Sequence, residues 1–258
     1  MDTRYWGPSG WKFLHLVTFG YEQKDKTKYK QFFEFLPYVL PCKFCRSSLV
    51  THYEKLPVSD ALDSKESLTR WMWKIHGHVN QKLRDHRQKI PEDPSFELVK
   101  KIYEERIGYG CTRTEFPGWE FLFSIIENHP LAKGDTSTPI PGAPPIESLD
   151  GSDLELLKWN YLSGEKRFGY ICKFWTLLPS VMPFQEWKHI WKRNSFEFCD
   201  EQLLSKKKLW AIRCAIESEL DLLNKTNYRE LCSDLRQYKS GCSKNKRART
   251  CRKKKKIA

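Results

Sequence analysis

Apolar residues recur at helical spacing through most of the first 107 positions. Trp11, Leu14, His15 and Thr18 share one face of a helix predicted from Tyr5 to Tyr21, with Pro8 in its first turn. A second helix is predicted over 28–40, where Phe32, Phe33, Leu36, Val39 and Leu40 are apolar; Pro37 should bend it or end it early. A third helix starts at Cys42 and Cys45, just after Pro41, and runs to about Glu54. A fourth, over 65–83, has capping-box spacing at Asp63 and Glu66 and a face carrying Leu68, Met72, His76, Val79 and Asn80. A fifth begins near Asp93 and Pro94, covers 96–107 and turns Val99, Ile102 and Tyr103 inward. The first 110 residues contain no strand pattern. The predicted class is all-α: a four-helix bundle plus a short fifth helix.

Residues 132–152 are rich in Pro, Gly, Ser and Thr and read as a linker or long loop. A second helical region is predicted over 154–238. The chain thus divides into a first domain (1–110), a second all-α domain that includes the linker (111–236), and a basic tail (237–258) expected to be disordered. The two helical parts share a pattern. Gly10-Trp-Lys-Phe-Leu-His15 is echoed by Gly118-Trp-Glu-Phe-Leu-Phe123, and Leu36-Pro-Tyr-Val-Leu-Pro-Cys42 by Leu178-Pro-Ser-Val-Met-Pro-Phe184. Leu68 follows Cys42 by 26 positions, and Leu209 follows Phe184 by 25. The second domain therefore reads as a degenerate copy of the first. The competing reading is chance likeness between amphipathic helices.

Composition changes this picture only in places. Aromatics make up 14% of the chain, enough for a substantial core. The net charge of +13 is concentrated: residues 239–258 hold ten Lys and Arg and no Asp or Glu, which leaves thirteen less ten, or +3, for the rest. The folded part is nearly balanced, so any nucleic-acid contact is expected only through the tail. No apolar stretch is long enough for a membrane span, and the N-terminus lacks the apolar centre of a signal peptide. Nine cysteines without such a signal argue against a disulfide scaffold.

The candidate chemistry lies at Cys42 and Cys45. Two thiols in the first turn of a helix meet free N–H groups and positive partial charge, which favour the thiolate. A Cys-x-x-Cys can also close as a disulfide. The alternatives are half a zinc site or two buried thiols. A zinc-stabilised binding module would use Cys42, Cys45, His76 and His78, with the tail binding nucleic acid. Against it, the two halves are thirty residues apart, and His-x-His on a helix points the rings about 200° apart.

The ordered set Trp6-Gly7-Pro8, Trp11, Leu14-His15, Pro41-Cys42 with Cys45, and His76 with Val79-Asn80, followed by Lys82-Leu83, resembles the Erv/ALR family of FAD-linked sulfhydryl oxidases over roughly residues 5–105. The chain departs from the family pattern at Gly77, Glu22 and Arg84-Asp85. The resemblance implies an FAD-binding helical bundle with the cysteine pair against the isoalloxazine. It implies an enzyme that makes disulfides in protein dithiol substrates, with O2 as the final acceptor and hydrogen peroxide as product. Cys42 would face the incoming thiol and Cys45 the flavin. The resemblance places Trp6, Gly7, Trp11, His15, Tyr21, His76, Val79, Asn80, Lys82 and Tyr103 at the cofactor. Among these, Trp11 and His15 would contact the flavin or its adenine end, His76 and Asn80 the adenosine or ribose, Lys82 the phosphates, and Tyr103 would stack. It further implies a homodimer.

On this reading the second domain has lost every redox and flavin position. Phe123 stands for His15, Phe184 and Trp187 for Cys42 and Cys45, and Glu217 and Asp221 fall near His76 and Asn80. It is expected to keep the fold without binding FAD. Cys242 and Cys251 in the tail are candidates for a shuttle pair, with flanking cations lowering their thiol pKa values. Cys172 and Cys214 are expected to be buried thiols. The two-unit chain resembles the large DNA virus branch of the family, which implies host cytoplasm or virion, with the nucleus reachable through the tail.

Overall fold

The structure is a computed structural model and describes residues 1–131, 138–194 and 201–239. Cys199, Cys242, Cys251 and nearly all of the basic tail lie outside the described residues. Among those described there are eleven α-helices and no strand, so the chain is all-α. The first five are α1 (Thr3–Phe19), α2 (Lys26–Val39), α3 (Lys43–Lys55), α4 (Lys65–Asp85) and α5 (Phe96–Gly108). Then follow α6 (Trp119–Glu127), α7 (Asp153–Trp159), α8 (Gly164–Val181), α9 (Gln185–Asn194), α10 (Gln202–Glu219) and α11 (Tyr228–Gln237). No helix among the described residues is long and apolar enough to cross a membrane.

Local chemistry sets the helix ends. α1 begins two residues earlier than the pattern predicts because the Asp2 carboxylate accepts from the Arg4 N–H. Pro8 therefore sits in its second turn rather than its first. α4 is capped by Ser64, whose hydroxyl accepts from the Ser67 N–H, and not by Asp63, which pairs with Lys26 instead. α5 is capped by Ser95. On α5 Val99 is buried, but Ile102 is half-exposed, contrary to its predicted inward face.

α2 does not end at Pro37. It continues to Val39, and α8 runs two residues past Pro179 in the same way. Both stop where the chain meets a second proline. Leu40, before Pro41, has φ −55° and ψ 132°; Met182, before Pro183, has φ −59° and ψ 141°. The ring of a following proline clashes with a helical preceding residue and pushes it into this extended region. Two residues after each of these prolines, α3 and α9 begin.

The order of the helices repeats, with α6, α8, α9, α10 and α11 following one another as α1 to α5 do. α1 packs on α4 and α5, and α6 packs on α10 and α11. The two sets meet through like elements: α1 lies against α6, and α2 against α8. This is the pattern a twofold axis makes between identical subunits. Phe32 stacks on Phe174 at 5.1 Å, Phe13 meets Phe116 at 5.6 Å, and Tyr29 donates to the Val181 carbonyl at 3.1 Å. Buried residues of both halves form one continuous core. α7 has no counterpart in the first half. With residues 138–162 it packs along α3 and the end of α2, where Leu157 and Leu162 cluster with Val50 and Tyr38 and Lys158 pairs with Glu54 at 2.7 Å.

Candidate active site

The cysteine pair sits at the start of α3. Cys42 is its N-cap residue, and the N–H groups of Cys45 and Arg46 donate to the Cys42 carbonyl at 3.0 Å each. Both cysteines are half-buried free thiols. The Cys42 thiol is lowered to about 6. A hydrogen bond from the Cys45 side chain contributes most; burial opposes it, and the Cys45 N–H, the Arg46 charge and the Phe44 N–H add to the lowering. A thiol of that pKa is largely thiolate at neutral pH, the form that exchanges disulfides.

A second cluster forms where α1, α4 and α5 meet. His15 is 3% exposed, and its Nε2 lies 3.1 Å from His76 Nδ1. Trp11 stacks on the His76 ring at 4.1 Å and 12°, and Tyr103 stacks on His15 at 5.2 Å. Burial holds both imidazoles neutral, lowering His15 to about 3 with help from His76, and His76 to about 4. His15 Nδ1 is buried without a hydrogen-bond partner. Asn80, one turn beyond His76, donates to Asp93 at 2.6 Å, and Arg84 donates to the other oxygen of the same carboxylate at 2.6 Å.

The residues predicted from sequence thus fall into two sets. Trp11, His15, His76 and Tyr103 come together, with Asn80 on the next turn of α4; Val79 and Lys82 lie partly buried on that helix. Trp6 and Tyr21 lie elsewhere. Trp6 packs on Phe121 at 5.9 Å, in the interface between the halves. Tyr21 is 1% exposed, donates to the Leu62 carbonyl at 2.6 Å and packs edge-on against Tyr29. Gly7 lies on α1 with open space where a side chain would begin.

The zinc set does not assemble. His76 turns to His15, while His78 is exposed and pairs with the His52 ring at 5.6 Å. Among the described residues no three His, Cys, Asp or Glu side chains are grouped to hold a metal. Cys214 is exposed and Cys172 half-exposed, so neither is the buried thiol expected. A groove of about 280 Å³ between Lys55, Trp71 and Lys74 lies at the opposite end of α3 from the cysteine pair.

Sequence reasoning missed Arg46, Asp93 and Arg84. Asp93 orients Asn80 from a loop 13 residues away, which no local pattern announces. Arg46 had a signal: it stands four residues after Cys42, which places it on the same helix face.

In the second half the space between α6 and α9 is filled by aromatic rings. Phe116 stacks on Trp119 at 4.1 Å and meets Trp187 at 4.6 Å, and Phe184 packs edge-on against Trp187 at 4.8 Å. Trp119, Trp187 and Phe116 have no solvent exposure. Bulky rings therefore occupy the positions that the sequence pattern aligns with Trp11, Cys42 and Cys45.

The bundle carries a Cys-x-x-Cys at the start of α3 and a Trp–His–His–Tyr cluster where α1, α4 and α5 meet, and part of it is similar to known proteins. The Erv1/Alr family model matches residues 8–103, within the N-terminal bundle. The chain is 41% identical over 85 residues to a protein of Acanthamoeba polyphaga mimivirus named as a probable FAD-linked sulfhydryl oxidase, covering 31% of this chain and 59% of that one. It is 34% identical over 89 residues to the mitochondrial FAD-linked sulfhydryl oxidase ERV1 of Saccharomyces cerevisiae, covering 32% of this chain and 45% of that one. The chain spans about half the length of these curated relatives. No solved structure matches it.

Proposed function

We propose that the chain is an FAD-dependent sulfhydryl oxidase that forms disulfides in protein dithiols. The observation that carries this is the Cys42 thiol, held near pKa 6 at the start of α3, within a bundle that also brings His15, His76 and Trp11 together. The cluster suits a flavin nucleotide. Its neutral imidazoles and flat aromatic faces match an aromatic ring system, and His15 Nδ1 is buried without a partner. Trp11, His15, His76 and Tyr103 would hold the rings, Asn80 with Asp93 the ribose, and Lys82 the phosphates.

The chain's own residues then act as follows. A substrate thiolate attacks Cys42 of the Cys42–Cys45 disulfide, and the Cys45 sulfur leaves as thiolate. The second substrate thiol, deprotonated, attacks the substrate sulfur of the mixed disulfide, and Cys42 leaves. The low Cys42 pKa makes it a good leaving group in this step. The substrate departs with a new disulfide and the pair is left reduced. Bound FAD would accept that electron pair and pass it to O2, giving hydrogen peroxide.

The second half, with its ring-filled interior, is a pseudo-oxidase unit that supports the first. It occupies the faces of α1 and α2, so a homodimer of the kind the resemblance implies would form through other surfaces. The reading is tested on purified protein. It should be yellow, with an absorbance band near ~450 nm as expected of bound flavin, and should consume O2 with a dithiol. Cys42→Ser and Cys45→Ser should each abolish turnover with the colour kept. A colourless protein that gains no FAD on incubation would overturn the reading.

A further inference from the structure

Among the described residues Arg46 is a buried cation with no carboxylate partner. It is 7% exposed, and its guanidinium donates to the Leu40 carbonyl at 3.0 Å and to the Asn160 side-chain oxygen at 3.1 Å. Its Nε is buried without a partner. Both partners are neutral. A buried charge compensated only by dipoles is costly, because the desolvation of an ion outweighs what neutral dipoles return, and such charges are ordinarily paired. Among the described residues the anions that can neutralise Arg46 are the thiolates of Cys42 and Cys45, the groups whose charge acts on it. Arg46 stands one helical turn from Cys42 on the same face.

Asn160 belongs to the part of the chain that the first half lacks a copy of. It ends α7 in the left-handed conformation, φ 63°, where asparagine is favoured over most residues. Its amide also donates to the Thr138 carbonyl at 2.8 Å, and that same carbonyl accepts from Lys43 Nζ at 2.8 Å. The inserted segment thus grips the first turn of α3 at Lys43, between the two cysteines, and at Arg46, just after them. Other cations near the pair are Lys43, the Met1 ammonium, which donates to the Pro41 carbonyl at 3.4 Å, and Arg167 of α8, itself buried and bonded to the Asn128 carbonyl.

We propose that Arg46 is a positioning residue of the redox motif, the counter-charge of the thiolate left when the Cys42–Cys45 disulfide is reduced, and that α7 holds it there through Asn160. Reduction takes up two electrons and one proton, leaving one thiol and one thiolate. The disulfide has no charge for Arg46 to meet; the reduced pair does. Arg46 therefore favours the reduced form and makes the disulfide a stronger oxidant of incoming dithiols. The proposal rests on Cys42 and Cys45 being a redox pair.

The test is the pH profile of iodoacetamide alkylation at Cys42 in the reduced full chain, read by mass spectrometry of its peptide. The wild type should show a midpoint near the lowered value of about 6. Arg46→Gln should move it up by at least one unit, tenfold less thiolate at low pH, and Arg46→Lys should restore most of it. The equilibrium with glutathione should shift tenfold toward the disulfide, about 30 mV. Asn160→Gly, which keeps the left-handed backbone, should move the midpoint the same way by less, and it serves if Arg46→Gln fails to fold. Coincident profiles for wild type and a folded Arg46→Gln, or for wild type and Asn160→Gly where the first is unfolded, would overturn the proposal. Alkylation reads the thiolate whether or not the protein oxidises anything, so a failed oxidase assay and a failed profile are separate results.

Discussion

His15 and His76 are neutral because they are buried against each other, and that has a consequence for stability. In the unfolded chain both titrate near the ordinary 6.5; folded, they are lowered to about 3 and about 4. Between pH 6.5 and 4 the unfolded chain binds more protons than the folded one. Stability is therefore fully present above pH 6.5 and lost as pH falls toward 4, at about 1.4 kcal/mol per pH unit for each histidine that titrates only when unfolded. His52, lowered to about 4 by burial and by His78, acts in the same direction. The urea midpoint of the full chain should drop steadily between pH 6.5 and 4.5, a window above most carboxylate titration. His15→Phe, which installs the side chain found at Phe123, should flatten that slope by about one proton. An unchanged slope would mean that His15 does not stay neutral in the folded protein.

At the scale of elements, close approach between the halves depends on missing side chains. Gly20 closes α1, and a Cβ there would lie 2.6 Å from the Cα of Pro183 and 2.8 Å from its Cβ. Neither is the end of a flexible side chain. Gly20→Ala should therefore push α1 away from the turn before α9 and destabilise the protein by about 1–3 kcal/mol, as overpacking does. Gly108, the last residue of α5, has open space at the same position; Gly108→Ala should be neutral or stabilise by up to about 1 kcal/mol. Chemical denaturation of both variants checks the pair, and equal effects would contradict the close contact.

The helices themselves were legible in the sequence because helical periodicity and proline chemistry are local. The extended residue before Pro41 and before Pro183 marks the same break twice. The caps were less legible: Asp63 has the right spacing, yet Ser64, one residue on, is the one in place to accept from Ser67. The resemblance placed Trp6 and Tyr21 at the cofactor, but here their rings are used by packing contacts. Asp93 and Asn160 were not legible, since each reaches its partner only after the chain has folded back.

For the whole molecule, the like-with-like packing of the halves decides whether the first can stand alone. α1 and α2 bury Phe13, Tyr29 and Phe32 completely, and each has a partner in the second half: Phe116, the Val181 carbonyl and Phe174. Ser9 bridges the halves as well, donating to the Pro117 carbonyl at 2.7 Å and accepting from the Phe121 N–H at 3.3 Å. A fully buried large apolar side chain contributes roughly 1.5–3 kcal/mol relative to exposure, and several would be uncovered together. The stability of a whole domain is only about 5–15 kcal/mol. A chain ending at residue 110 would retain the cysteine pair and the histidine cluster, but would expose a continuous apolar face along α1 and α2. It should aggregate, or pair with a second copy through that face, and lose at least several degrees of thermal stability. Restoring residues 111–239 as a separate chain should recover solubility by binding it. A residues 1–110 chain that is monomeric, soluble and as stable as the full protein would show that the second half is not part of the same fold.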